Sequence, residues 1–197
     1  QVGEAIIDHL FGHGDDGRVP TVAVTGTNGK TTVTRLIAHL LATSGLRVGM
    51  TNTDGAYVQG RRIDSGDCSG PRSARNVLAH PDVDAAVFET ARGGILREGL
   101  GYDRCAVAVV TNIGEGDHLG LNYISTVEDL AVLKRVIVRN VAPGGWAVLN
   151  AADANVAAMA VACPGRICFF AADRRHPAIA AHRAQGRRVV YVEGNAI

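Results

Sequence analysis

An α/β fold of the P-loop type, with a mostly parallel sheet flanked by helices, is what this 197-residue sequence predicts, and three observations carry the prediction. Short apolar runs recur along the chain, the early ones followed by turn residues and then by helical periodicity. Strands buried on both faces read as continuous apolar runs, and helices between them supply the crossovers that parallel pairing needs. The first strong run leads into a glycine loop that ends in Gly29-Lys30-Thr31, the strand-to-helix junction that phosphate binding requires.

In chain order, residues 3–11 are expected to form a helix, since Ile6, Ile7, Leu10 and Phe11 recur at helical spacing. Residues 21–24 are a first buried strand, and residues 31–44 form the helix that leaves the glycine loop. A second strand is expected at 47–50. The segment 51–71 is rich in Gly, Asp, Ser and Thr and is predicted to be a long functional loop lying over the site. A helix at 73–79 precedes strands at 85–88 and 106–110, and a helix at 127–141 precedes a strand at 146–149. A helix at 155–163 and a strand at 167–170 follow. The chain then reads as a strand at 188–192 entering a short C-terminal β-hairpin through Glu193-Gly194-Asn195.

Composition narrows the function. With 47% hydrophobic residues the chain can bury one substantial core, so residues 1–197 are expected to be one domain. A formal net charge of +1, with scattered Lys and Arg, lacks the dense basic face of sequence-independent nucleic-acid binding, so no nucleic-acid partner is expected. No apolar run reaches the roughly 18 residues of a membrane span, and no signal peptide is visible, so no membrane partner is expected. Cys68, Cys105, Cys163 and Cys168 lack C-x-x-C spacing and read as buried free thiols, which points to a reducing compartment, the cytoplasm. A start at Gln1 and an end just past a turn suggest a fragment excised from a larger multidomain enzyme.

The loop Gly26-Thr27-Asn28-Gly29-Lys30-Thr31-Thr32 is a polyphosphate cradle. Its glycines let successive N–H groups converge on phosphate oxygens, and the following helix adds the positive end of its dipole. Lys30 is placed to reach the outer phosphates, and Thr31 to offer its hydroxyl to magnesium. The commonest eight-residue form would have a glycine at position 24, where this chain has Val24. A nucleotide polyphosphate with Mg2+ is therefore the expected ligand, and the resemblance described below makes that nucleotide ATP.

Ligands of open parallel sheets collect outside the carboxyl ends of the strands, so the residues after each strand are the next candidates. Glu89 ends an apolar strand and could deliver a carboxylate to phosphate-bound magnesium. His118 lies in the polar segment after the strand at 106–110, facing Lys30 and Glu89 as a candidate ligand or as an ordinary loop histidine. Asn150 ends another strand, where its amide could pair with a purine edge or cap a helix; Asp153 follows closely. Lys134, on the helix 127–141, would by itself be a solvated lysine. No Ser/His/Asp or Cys/His arrangement suggests a covalent acyl-enzyme, so the chemistry is expected to be electrostatic and metal-assisted.

Taken together, residues 26–32, Glu89, Thr111-Asn112-Ile113 followed by Asp117-His118-Leu119, and Leu149-Asn150-Ala151 with Asp153 resemble the ATP-binding central domain of the Mur ligase family. The longer runs at 53–55, 66–75, 89–100 and 112–120 resemble the cyanophycin synthetase branch of that family. The resemblance implies that Lys30 contacts the outer phosphates, that Thr31 and Glu89 serve one magnesium, and that His118 binds a second. It also implies that Asn150, and with it Asp153, faces the adenine, and that Lys134 is the lysine which several relatives carbamylate to help hold the second metal. Those relatives usually carry two acidic residues after Asn-Ala, where this chain has Ala152 and then Asp153.

The implied reaction is ATP-dependent amide ligation through an acyl phosphate, with arginine added to the aspartate β-carboxylates of a polyaspartate acceptor. A separate ATP-grasp half would add the aspartate, and a C-terminal Mur domain would close the site; both would belong to a parent enzyme that forms a homo-oligomer. The isolated fragment is expected to be inactive. Arg72, Arg75, Arg92 and Arg97 could hold the acidic polymer or form partner-facing ion pairs. The alternatives are another Mur-type ligase of the folylpolyglutamate synthase kind and a nucleotide-binding module without catalysis.

Overall fold

The structure is a computed structural model that describes Gly3, Ala5, Ile6, His9, residues 17–116, Gly120, residues 123–194 and residues 196–197. The helix expected at 3–11 lies largely outside the described residues. The described strands are β1 (Thr21–Thr25), β2 (Val48–Asn52), β3 (Gly55–Val58), β4 (Arg61–Ser65), β5 (Ala85–Glu89), β6 (Cys105–Val110), β7 (Val141–Asn150), β8 (Arg166–Asp173) and β9 (Val189–Val192). They form one sheet in the order β4-β3-β2-β5-β1-β6-β7-β8-β9. From β2 across to β9 every pairing is parallel, while β3 and β4 extend the edge by antiparallel pairing. Strand order reverses around β1, which lies between β5 and β6, and the crevice outside the carboxyl ends of these strands is where such sheets bind ligands.

The period of two along each strand divides the core. Ala23, Ala108, Val110, Ala147 and Leu149 point to one face and pack under Leu130, Ile137, Val138, Val156 and Met159. These come from α4 (Val127–Lys134), α5 (Val136–Arg139), α6 (Ala154–Ala158) and a 3-10 turn at Met159–Ala162. Val24, Val48, Val87 and Val109 point to the other face, beneath Ala38 of α1 (Lys30–Thr43). A third cluster, with Val77 and Phe88 at its centre, lies between the β3–β4 hairpin and α2 (Pro71–Leu78). The remaining helices are α3 (Arg92–Glu98) and α7 (Pro177–Ala184).

All seven strands read from the sequence are present, each within a few residues of its expected limits. The segment 51–71, expected to be a loop, instead contains the β3–β4 hairpin. Its outer strand Arg61–Ser65 is exposed at every residue, so it lacks the buried apolar alternation that marks a strand in sequence. Charged residues on such an edge also discourage further pairing. The helix expected at 127–141 ends at Arg139, is divided near Arg135, and gives way to β7 at Val141. The β-branched run Val136-Ile137-Val138 has weak helix propensity, and its side chains pack into the core beside the sheet. Helix α3 was hidden by Gly93-Gly94, yet these small residues are what admit close packing: a Cβ on Gly94 would come within 3.0 Å of Gly70 Cα. Beyond β9, Glu193 and Ala196 form an antiparallel bridge that closes the C-terminal hairpin turn. Among the described residues no helix is long and apolar enough to cross a membrane.

Candidate functional site

The glycine loop leaves β1 and is laced to the segment that follows β6. Thr27 N–H donates to the Asn112 carbonyl at 2.8 Å. The Asn112 side chain accepts from Asn28 N–H at 2.9 Å and donates back to the Asn28 carbonyl at 3.0 Å. Thr111 Oγ1 donates to that same carbonyl at 2.7 Å. This lacing explains the glycine at position 26: its φ is +147°, and a Cβ there would meet Thr111 Oγ1 at 1.9 Å. Gly29, with φ +81°, then caps the N-terminus of α1, whose first N–H groups have no side-chain cap and remain available to an anion. Lys30 Nζ folds back to donate to the Thr27 carbonyl at 2.9 Å.

Glu89 stands at the carboxyl end of β5 and is 2% exposed. Its Oε2 accepts from Thr31 Oγ1 at 2.8 Å and from Thr53 N–H at 3.4 Å. Its Oε1 is buried without a hydrogen-bond partner among the described residues. A buried carboxylate oxygen left unpaired costs free energy, and a cation satisfies it. Thr31 Oγ1 lies 3.3 Å from Thr53 Oγ1, so two hydroxyls and a carboxylate meet at the start of α1. This all-oxygen set fits the preference of magnesium for one carboxylate, hydroxyls, phosphate oxygens and water. A cavity of about 530 Å³ opens here between Lys30, Glu89 and Arg92.

The other candidates are placed as follows. Lys134 is fully buried, and its ammonium donates to the Gly26 carbonyl at 2.8 Å, which ties the end of α4 to the loop. Asn150 donates from Nδ2 to the Thr111 carbonyl and accepts Ala152 N–H on Oδ1. Asp153 caps α6 through Val156 N–H and holds Ile113 N–H at 2.7 Å. Both residues therefore brace the β6 segment from β7, and Asn150 also lines a larger cavity of about 850 Å³ beside the glycine loop. The walls of that cavity are mostly apolar, among them Val22, Val33, Ile37, Val107 and Val148. His118 lies outside the described residues. Of the four arginines, Arg92 is buried against the smaller cavity. Arg72 is exposed, Arg75 pairs with Glu98 at 3.8 Å, and Arg97 lays its guanidinium along Gly93.

Thr53, Asp67 and Ser69 also line the smaller cavity: Thr53 belongs to the segment after the strand at 47–50 that is expected to converge on the cradle, whereas Asp67 and Ser69 enter the sequence reading only within the run 66–75. Asp67 Oδ1 accepts from Ser69 Oγ at 2.5 Å and Ser69 N–H at 3.0 Å, which fixes the turn that enters α2. Thr53 follows β2 directly, and the residues that leave parallel strands converge on the crevice. Behind the site, Tyr102 stacks on Phe88 with ring centroids 5.8 Å apart, and burial raises its phenol well above the usual range.

Comparison with known proteins extends this geometry. The model of the Mur ligase middle domain matches residues 24–193. A cyanophycin synthetase from a Synechocystis species is 47% identical over 194 residues, which are 98% of this chain and 22% of that relative. The chain therefore spans less than a quarter of the length of this relative. A solved UDP-N-acetylmuramoyl-L-alanyl-D-glutamate–2,6-diaminopimelate ligase matches with a TM-score of 0.61 at 24% identity, covering 85% of this chain and 34% of that one. A complex named FPGS-AMPPCP matches with a TM-score of 0.59 at 20% identity, covering 78% of this chain and 46% of its own. Both structures share the fold. By the extent of the family match, the chain belongs to the Mur ligase middle-domain family.

Proposed function

We propose that this chain is the ATP-binding catalytic domain of an amide ligase of the cyanophycin synthetase kind, which activates a carboxylate as an acyl phosphate. The observation that carries the proposal is Glu89, a buried carboxylate with one unpaired oxygen, held against Thr31 at the mouth of a glycine loop. A degenerate nucleotide module has no reason to keep such a costly group. The similarity to a cyanophycin synthetase at 47% identity supports arginine and a polyaspartate-type acceptor as substrates.

In this scheme the N–H groups of Gly29, Lys30 and Thr31, left uncapped at the start of α1, bind the triphosphate together with the Lys30 ammonium, which is released from the Thr27 carbonyl to do so. The adenosine lies along the larger cavity, against its apolar wall, with Asn150 at its edge and Asp153 supporting the loop. Thr31 and Glu89 would hold magnesium, which supplies charge neutralisation for the transferred phosphoryl group. His118 and a modified Lys134 are the proposed holders of a second ion. The acceptor carboxylate attacks the γ-phosphorus, the bond to the bridging oxygen breaks, and ADP leaves. The arginine amine then displaces phosphate from the acyl carbon and loses a proton, giving the amide. Arg92, buried beside the smaller cavity, is the arginine best placed to receive an acidic substrate; Arg72, Arg75 and Arg97 lie farther out.

The ATP-grasp half, the C-terminal Mur domain and a homo-oligomeric assembly are assigned to the parent enzyme. Four free cysteines support a reducing, cytoplasmic location. The test is an assay of the intact parent enzyme with an aspartate primer, arginine, ATP and magnesium. ADP release and primer growth should both require arginine, and incorporation that continues without ATP would overturn the proposal.

A further inference from the structure

At the opposite end of the sheet from the glycine loop, the structure builds a second concave site that the ligation chemistry does not use. Trp146 of β7 stands opposite Arg166 of β8, and the Arg166 guanidinium lies 4.3 Å from the centre of its ring. The Arg188 guanidinium, just before β9, lies 4.9 Å from the same ring. With Arg187 and His182 these residues line a cavity of about 540 Å³ that has no acidic residue in its lining. No ion pair within the described residues joins Arg166, Arg187 or Arg188 to a carboxylate, whereas Arg18, Arg35, Arg47, Arg75 and Arg174 each have at least one. Arg166 Nη2 donates to the Gly144 carbonyl at 2.7 Å, which fixes its fork.

Guanidiniums gathered on one aromatic ring repel one another, and cation–π contact holds them there at a cost that an anion would offset. Arg forks of this kind match carboxylates two oxygens at a time. We propose that this cavity is a docking site for a run of carboxylates on an acidic peptide, a distal grip on the polyaspartate-type acceptor. The identity of that acceptor rests on the function proposed above; the anionic character of the ligand rests on the cavity alone.

The geometry gives the site a length rule. Trp146, Val148 and Asn150 alternate onto one face of β7, so the cavity and the nucleotide end share that face. Trp146 precedes Asn150 by four residues, which is about 13 Å along the strand at roughly 3.3 Å per residue. An extended peptide needs about four residues to cover that distance and more to reach the reacting carboxylate. A trimer cannot hold both places, whereas a twelve-residue chain can.

The experiment measures binding of fluorescein-labelled aspartate trimer and dodecamer to the intact parent enzyme by anisotropy, with inorganic phosphate as competitor. It compares the wild type with an Arg166→Gln/Arg188→Gln variant and, separately, with Arg187→Gln. The paired variant should bind the dodecamer about tenfold more weakly, bind the trimer within about twofold of wild type, and keep its melting temperature and ATP affinity. Arg187→Gln should give a smaller loss of the same kind. Equal dodecamer affinity in wild type and variant would overturn the proposal. So would displacement of the dodecamer by millimolar phosphate with equal loss for both peptides, which would mark a simple phosphate pocket. A fall in melting temperature with equal loss for both peptides would identify an acidic contact from another domain instead. If the ligase function is wrong, the wild-type enzyme will fail to release ADP with arginine while the anisotropy difference persists.

Discussion

Replacing Glu89 by glutamine should make the empty protein slightly more stable and its metal binding much weaker. In the wild type a carboxylate is 2% exposed, and its Oε1 has no partner among the described residues. The amide leaves an unpaired group in the same place, but a neutral one, whose desolvation is cheaper by about 2 kcal/mol. Against that gain, Oε2 gives up charge in its bonds from Thr31 Oγ1 at 2.8 Å and Thr53 N–H at 3.4 Å. One good bond and one long one lose about 1 kcal/mol between them. The net is about 1 kcal/mol in favour of the variant, or about 2–4 °C in melting temperature for a chain of this size. Loss of an anionic oxygen ligand should lower magnesium affinity by about a hundredfold, which is about 2.7 kcal/mol. Thermal shift of the intact parent enzyme, titrated with magnesium in the presence of ADP, reads both effects. A variant that melts lower and keeps the wild-type magnesium midpoint would refute the reasoning at both steps.

The glycine loop and the cysteines each give a further expected outcome. Gly26→Ala should lower nucleotide affinity by more than about a hundredfold, because its Cβ would overlap Thr111 Oγ1 at 1.9 Å and press on Asn112 N and O at 3.2 Å. Gly29→Ala, with open space around it, should cost only about 1 kcal/mol for its left-handed backbone, and Thr111→Ala should partly rescue Gly26→Ala; calorimetry with ATP would compare all of them. The cysteines should divide by burial: iodoacetamide at pH 8 should label Cys163 and Cys168 before Cys68 and Cys105, as read by mass spectrometry of the folded protein. Burial pushes the Cys105 thiol up to about 12, so it stays protonated and unreactive at that pH; prompt labelling of Cys105 would contradict the packing around it.

The interior strands of the sheet are legible in the amino-acid order, because a strand flanked by others is apolar along its whole length, as Ala85 to Phe88 is. The glycine loop between β1 and α1 was equally legible, since Gly26, Gly29, Lys30 and Thr31 are local in the chain and mark a strand-to-helix junction by spacing alone. Glu89 could be singled out because a carboxylate directly after such a strand must emerge at the carboxyl edge of the sheet.

What these residues touch becomes visible when the chain is folded. The exposed strand Arg61–Ser65 gave no apolar pattern, so its pairing with β3 depends on backbone hydrogen bonds that no side-chain periodicity reports. Lys134 reads as a solvated lysine in its helix, yet it is buried with its ammonium on the Gly26 carbonyl, a contact across 108 residues of chain. The reason for glycine at position 26 is also distant in the chain, in the Thr111 hydroxyl that its missing Cβ admits. Strand and loop signals are local and survive in sequence; the lacing of Asn28 to Asn112, of Ile113 to Asp153 and of Thr31 to Glu89 arises when distant strand ends are brought side by side, and folding alone supplies that proximity.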